Sequence, residues 1–119
     1  TMQGTQFAHS FHIPGTLTAN LNIRWKAPFD CQLLHISAVN SAATNGTFIV
    51  GTSTDDDAYL TTSDIGDSNV PNEFDKDNFV GTEFPHIVKG TIVVITVDYD
   101  GAAGTAAANL TLILTFAEG

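Results

Sequence analysis

Apolar and polar positions alternate with a period of two over much of this chain. In GTLTANLNIRWKA (15–27), Leu17, Ala19, Leu21, Ile23 and Trp25 share one face, and Thr18, Asn20, Asn22, Arg24 and Lys26 share the other. Successive side chains of a strand point to opposite faces, so this alternation predicts a strand with one side on a core and one in water. ANLTLILTFAEG (108–119) repeats the pattern, setting Leu110, Leu112, Leu114 and Phe116 against Asn109, Thr111 and Thr115. TIVVITVDY (91–99) is apolar at both parities and rich in β-branched residues, which predicts a central strand covered on both faces. Residues 30–39 read as a weaker version of the same. GTFIVGT (46–52) reads as a short strand, and TQFAHSFHI (5–13) as a first strand ending at Pro14-Gly15.

No window of ten or more residues carries a 3.6-residue period; the best helical candidate is a turn or two within DAYLTTSDIG (57–66). DGAAGTAAAN (100–109) is rich in alanine, but Gly101 and Gly104 interrupt it, and it is expected as a hairpin connection. Six or seven short strands, punctuated by Gly, Pro and Asn, predict an all-β chain: a single antiparallel β-sandwich or jelly-roll-like domain with a long acidic loop. Residues 1–15 are expected as an N-terminal strand or arm and 16–119 as the sandwich domain. A chain of 119 residues buries roughly two thirds of the surface its unfolded form exposes, so its core needs neither metal nor disulfide.

Charge is concentrated in one segment. Nine of the 13 acidic residues (Asp55, Asp56, Asp57, Asp64, Asp67, Glu73, Asp75, Asp77 and Glu83) crowd the stretch that starts in STDDDAYLTTSDIGDSNVPNEFDKDNF (53–79), and the formal net charge is -9. With Arg24, Lys26, Lys76 and Lys89 as the only Lys or Arg residues, the chain cannot neutralise a track of phosphates, so no nucleic-acid partner is expected. The same deficit argues against an anionic membrane, and the longest apolar run, IVVITV (92–97), is far short of a span. The opening TMQGTQ has neither the basic nor the apolar region of a signal peptide.

Candidate chemistry is sparse. The single cysteine, Cys31, excludes an intrachain disulfide and any C-x-x-C motif, and it reads as a small buried apolar residue. His9 and His12 have H-x-x-H spacing, but an odd offset on a strand sends them to opposite faces, and His35 and His86 are isolated. DKDNFVG (75–81) departs from an EF-hand loop: Phe79 stands where a ligand is needed, and Gly81 comes one position late. An irregular calcium site would have to combine Asp55, Asp56 or Asp57 with Asp75 or Asp77; a solvated loop is the simpler reading, and no metal or cofactor is assigned. There is no G-x-S-x-G elbow, no G-x-x-x-x-G-K loop and no H-E-x-x-H, so no catalytic residue is assigned and an enzyme is not expected. The sequons at Asn45 and Asn109 bear on a secreted chain only.

Aromatic residues mark where an interface would lie. Phe7 and Phe11 share a face of the first strand, Phe29 follows Pro28, and Phe74, Phe79 and Phe84 recur every five residues in the most polar part of the chain. Such anchors either pin a loop to its own domain or face a partner. The expected interface set is Phe7, Phe11, Pro14, Phe29 and Phe79.

Three stretches, RWKAPFDCQLLHISAVNS (24–41), FIVGTSTDDDAYLTTSDIGDS (48–68) and HIVKGTIVVITVDYDGAAGTAAANLTLILTF (86–116), cover about 70 of the 119 residues. Together they resemble the capsid decoration, or cement, proteins of tailed bacteriophages. The shared elements are an aromatic and "AP" leading into a strand, a strand ending in "GT" before an aspartate-rich loop, "KGT" opening an apolar strand, and a "DGAAGTAA" turn before the last strand. The resemblance implies a β-sandwich that binds the outside of the virion capsid, often as a trimer, with the major capsid protein as partner, and stabilises the shell. It also implies an N-terminal arm reaching a neighbouring subunit, a role that falls here on residues 1–15. The alternative is a carbohydrate-binding sandwich of a phage tail or adhesin with a calcium-organised acidic loop; Trp25, in phase with the buried face of its strand, is poorly placed as a sugar platform.

Overall fold

A computed structural model of the chain describes residues 5–101 and 103–119. Nine strands follow one another: β1 (Gln6–Thr16), β2 (Leu21–Lys26), β3 (Cys31–Val39), β4 (Thr47–Thr52), β5 (Leu60–Asp64), β6 (Asn72–Phe74), β7 (His86–Ile87), β8 (Ile92–Asp98) and β9 (Ala108–Glu118). A single 3-10 turn, Val80–Thr82, precedes β7, and no α-helix occurs among the described residues. One sheet has the order β1-β9-β3-β6, with β7 also on β3; the other has the order β2-β8-β4-β5. The ladders between these strands are antiparallel.

The chain changes sheet at nearly every connection. Only β4 and β5 form a hairpin within one sheet, and β6 and β7 lie in succession along the same side of β3. This is the connectivity of a jelly roll, with the strand beside β3 split in two. The expected antiparallel β-sandwich is therefore the observed fold.

Alternation builds the core as the sequence predicts. Leu110, Leu112, Leu114 and Phe116 of β9 are all fully buried, and Leu33, Ile36 and Ala38 of β3 lie beside them in the same sheet. From the facing sheet come Phe48, Val50, Val93, Ile95 and Val97. β8 lies between β2 and β4, and its outward Val94, flanked by Arg24 and Gly51, is only 3 % exposed. That explains a strand apolar at both parities.

Four expectations need correction. The alternation over 15–27 spans two strands, since β1 continues to Thr16, residues 17–20 cross between the sheets, and β2 begins at Leu21. Leu17 is buried and still donates its N–H to the Ala107 carbonyl (2.9 Å), whereas Ala19 is exposed. Pro14-Gly15 does not end β1 but forms a bulge in it: β1 is a sheet edge, where proline's missing N–H costs no ladder bond, and Gly15 takes a φ of 78°. Nor is DGAAGTAAAN a hairpin, because β8 and β9 belong to different sheets. Finally, DAYLTTSDIG holds β5 rather than helical turns. Residues 1–4, the start of the expected arm, lie outside the described residues; the rest of that segment forms β1 up to Gly15, paired along β9.

Candidate functional site

β1 and β2 are the edges of the two sheets on one side of the sandwich, while β5 and β6 are the edges on the other. Each side gathers a different part of the candidate chemistry.

The acidic segment occupies the β5–β6 side. Its first part is the β4–β5 turn, in which the Thr52 and Ala58 N–H groups donate to the Asp55 carbonyl (2.8 and 3.2 Å) and the Tyr59 N–H donates to Val50 O (3.0 Å). The turn folds back onto Gly51, where a Cβ would collide with the backbone of Asp55, Asp56 and Ala58. This places Asp55, Asp56 and Asp57, all exposed, so that one carboxylate oxygen from each lies within 4.8 Å of the other two. A hydrogen bond to Asp55 is the main cause that raises the Asp57 pKa, followed by slight desolvation and repulsion from Asp55 and Asp56. Asp75 and Asp77 do not join this group.

Two carboxylates of the segment accept from backbone N–H groups, one within its own turn and one from the β3–β4 connection. Asp75 Oδ1 accepts from the Asp77 N–H (3.0 Å), and Asp67 Oδ1 accepts from the Thr44 N–H (3.2 Å). Tyr59, Leu60, Ile65 and Phe79 are buried, and Phe74 meets Phe48 edge-on with ring centroids 5.5 Å apart. Phe79, expected with the interface set, is 3 % exposed and anchors the loop to its own core, out of a partner's reach.

A groove of about 580 Å³ runs beside Thr44, Asn45, Asp64, Ile65, Asp67 and Asn72. Asp64 and Asp67 are the carboxylates of its lining, and no histidine, cysteine or lysine joins them there among the described residues.

On the β1–β2 side the inward residues are aromatic. The Phe7 ring stacks on Phe116 (centroids 5.2 Å) and meets Phe29 edge-on (5.4 Å), while His9 lies against Trp25 (4.3 Å) and Trp25 against Phe116 (5.1 Å). Phe7, Phe11 and Phe29 are half-buried, and Pro14 is exposed. Among the described residues the buried Trp25 Nε1–H has no acceptor, an arrangement that costs about 1–3 kcal/mol. The indole packs into the sandwich and offers no open platform for a sugar.

Most of the remaining polar candidates are accounted for by structural contacts or burial. His9 and His12 do point to opposite faces, as their spacing predicts: His12 is exposed, with Nδ1 2.8 Å from Thr111 Oγ1. His35 Nε2 is 3.3 Å from Glu73 Oε1. Cys31 is fully buried, and burial, then the neighbouring Asp30 charge, pushes its thiol pKa up, which disfavours the reactive thiolate. Both sequon asparagines hold loops together: Asn45 Oδ1 accepts from the Thr105 N–H (2.8 Å), and Asn109 Oδ1 from the Gly15 N–H (2.9 Å). Sequence reasoning missed Asn40, which is 1 % exposed. Its Nδ2 donates to Gly66 O (2.6 Å), and its Oδ1 accepts from the Ala42 (2.9 Å) and Ala108 (3.3 Å) N–H groups. No local pattern marks an asparagine as such a junction.

No family model and no curated protein matches the chain in sequence. Among solved structures it is similar in fold to a chain of a cyanophage Pam1 capsid asymmetric unit, with a TM-score of 0.55 and 16 % identity over 100 % of this chain and 89 % of that one. The likeness therefore runs through the whole jelly roll rather than one sheet of it.

Proposed function

We propose that this protein is a non-enzymatic structural component of a bacteriophage virion that binds the outer surface of the capsid, against the major capsid protein, and stabilises the shell as a trimer. The observation that carries this reading is the end-to-end likeness in fold to a chain of a phage capsid. The resemblance read from the sequence leads to the same class of protein independently of that comparison. The site geometry agrees with it: carboxylates turned to solvent or used in turns, an open polar groove, and half-buried aromatics along one edge make a surface for docking rather than a reaction chamber. On a shell, modest contacts repeated by each copy of a trimer gain from their linkage.

The test is co-sedimentation of the purified chain with phage capsids stripped of accessory proteins, followed by heating. Saturable binding and a higher temperature of DNA release are expected. Failure to bind capsids at micromolar concentration would overturn the reading.

A further inference from the structure

The geometry points to a head-to-tail interface between copies of this chain, in which the acidic β5–β6 edge of one copy docks on the cationic β1–β2 edge of the next. The inference rests on the capsid reading only in that it supplies the proposed trimer with its contact.

Strand order sorts the charges. Residues 5–29, which include β1 and β2, contain no Asp or Glu, and the outward face of β2 carries Arg24 and Lys26, both exposed. Among the described residues neither makes an ion pair; Arg24 Nε donates to Asn22 Oδ1 (2.9 Å) within its own strand. The nine acids from Asp55 to Glu83 flank β5 and β6 at the far side of both sheets, with Lys76 as the one basic residue among them. Asp30, Asp98, Asp100 and Glu118 lie outside both edges, in loops or at the ends of β8 and β9.

Charge decides which edges can meet. A two-fold pairing of like edges would set Arg24 and Lys26 against their own copies, or carboxylates against carboxylates, and like charges brought together oppose association. Only the unlike pairing is attractive, and it is heterologous, the kind of contact that closes rings of three or more when the rotation allows. Apolar surface is available on both partners: Val80 (47 % exposed) and Phe84 (39 %) beside the acids, and half-buried Phe7, Phe11 and Phe29 beside β2. Charge would orient the encounter and the apolar contacts would hold it.

The test uses the full chain and two exposed charge reversals, Arg24→Glu with Lys26→Glu, and Asp77→Lys with Glu83→Lys, each checked for an unchanged melting temperature. Light scattering at low salt should show wild-type oligomers that dissociate as salt rises, and each double variant should associate about tenfold or more weakly. Mixed together, the two variants should associate with one another in a 1:1 ratio, because each keeps the edge the other has lost. A monomeric wild type at low salt, a variant that associates like wild type, or a mixture that stays monomeric would each overturn the inference. Capsid co-sedimentation of the same samples separates the two proposals: a monomer that binds capsids sinks this interface alone, and an oligomer that does not bind sinks the capsid role alone.

Discussion

The two sides of the sandwich are closed by different physics. On the β1–β2 side, rings from facing sheets fill the gap, with Phe7, His9 and Trp25 each against Phe116 and His9 also against Trp25. On the β5–β6 side the strands are short and the chain is held by turn hydrogen bonds, the Asn40 junction and a few anchors such as Phe79. Apolar packing tolerates no buried charge, so the carboxylates collect where backbone groups satisfy one another and side chains are free to face water. Where charge collects on this molecule follows from how each side is closed.

The largest effect should come from the aromatic side. Phe116→Ala removes a fully buried ring that touches Phe7, His9 and Trp25, and should cost about 3–5 kcal/mol in urea unfolding. A loss below about 1 kcal/mol would mean that side is not closed by packing.

On the opposite side the comparable test is a hydrogen-bond junction. Asn40→Ala takes the side-chain acceptor from the Ala42 and Ala108 N–H groups and leaves the Gly66 carbonyl only its bond from the residue-40 backbone N–H, and should cost about 2 kcal/mol. Faster amide exchange at Ala42 and Ala108 should accompany it; full stability would show that the turns hold without the junction.

Trp25→Phe sharpens the account of the aromatic side, because it deletes the orphan indole N–H along with some apolar area. The two changes oppose one another, and stability should stay within about 1 kcal/mol of wild type by thermal melting. A loss above about 2 kcal/mol would show that the N–H has an acceptor.

The smallest effect belongs to Asp57→Asn. The folded state raises the Asp57 pKa above its ordinary 3.8, so it holds that proton more tightly than the unfolded chain does. The resulting stabilisation is fully present below the unfolded pKa and is lost as pH rises through the folded one. At neutral pH the wild type therefore carries the repulsion among Asp55, Asp56 and Asp57, and the variant should melt slightly higher there, an advantage that shrinks as pH falls through the carboxylate range in a pH-dependent melting series. An identical pH profile for the two proteins would dismiss the carboxylate coupling.

Much of the fold was legible because one-sided burial writes itself as alternation: β9 and β2 show it, and β8 shows the doubled version of a covered central strand. Sheet membership was not legible. Leu17 and Leu21 keep the same parity on either side of a crossing, so period two runs through it unbroken, and nothing local tells a sheet-changing connection such as 99–107 from a hairpin. β5, β6 and β7 were missed because edge strands in polar sequence are defined by backbone pairing with β4 and β3, which side-chain patterns do not report. The candidate surface was half legible. Phe7, Phe11, Phe29 and the acid cluster could be named from sequence, but the inward turn of Phe79 and the opposition of Arg24 and Lys26 to the acids depend on strand order.

The pairing of β1 with β9 also bears on how the chain reaches its fold. Gln6 pairs with Ala117 and Ile13 with Leu110, so the first strand waits for the last, and β9 is the strand that joins β1 to β3. During synthesis the aromatic face of β1 stays without its cross-strand neighbours until nearly all of the chain has emerged. Contacts of such sequence separation carry the full loop-closure entropy before they return any stability, which makes for slow, late assembly of that sheet. The β4–β5 hairpin, local and complete early, is the natural place for folding to begin.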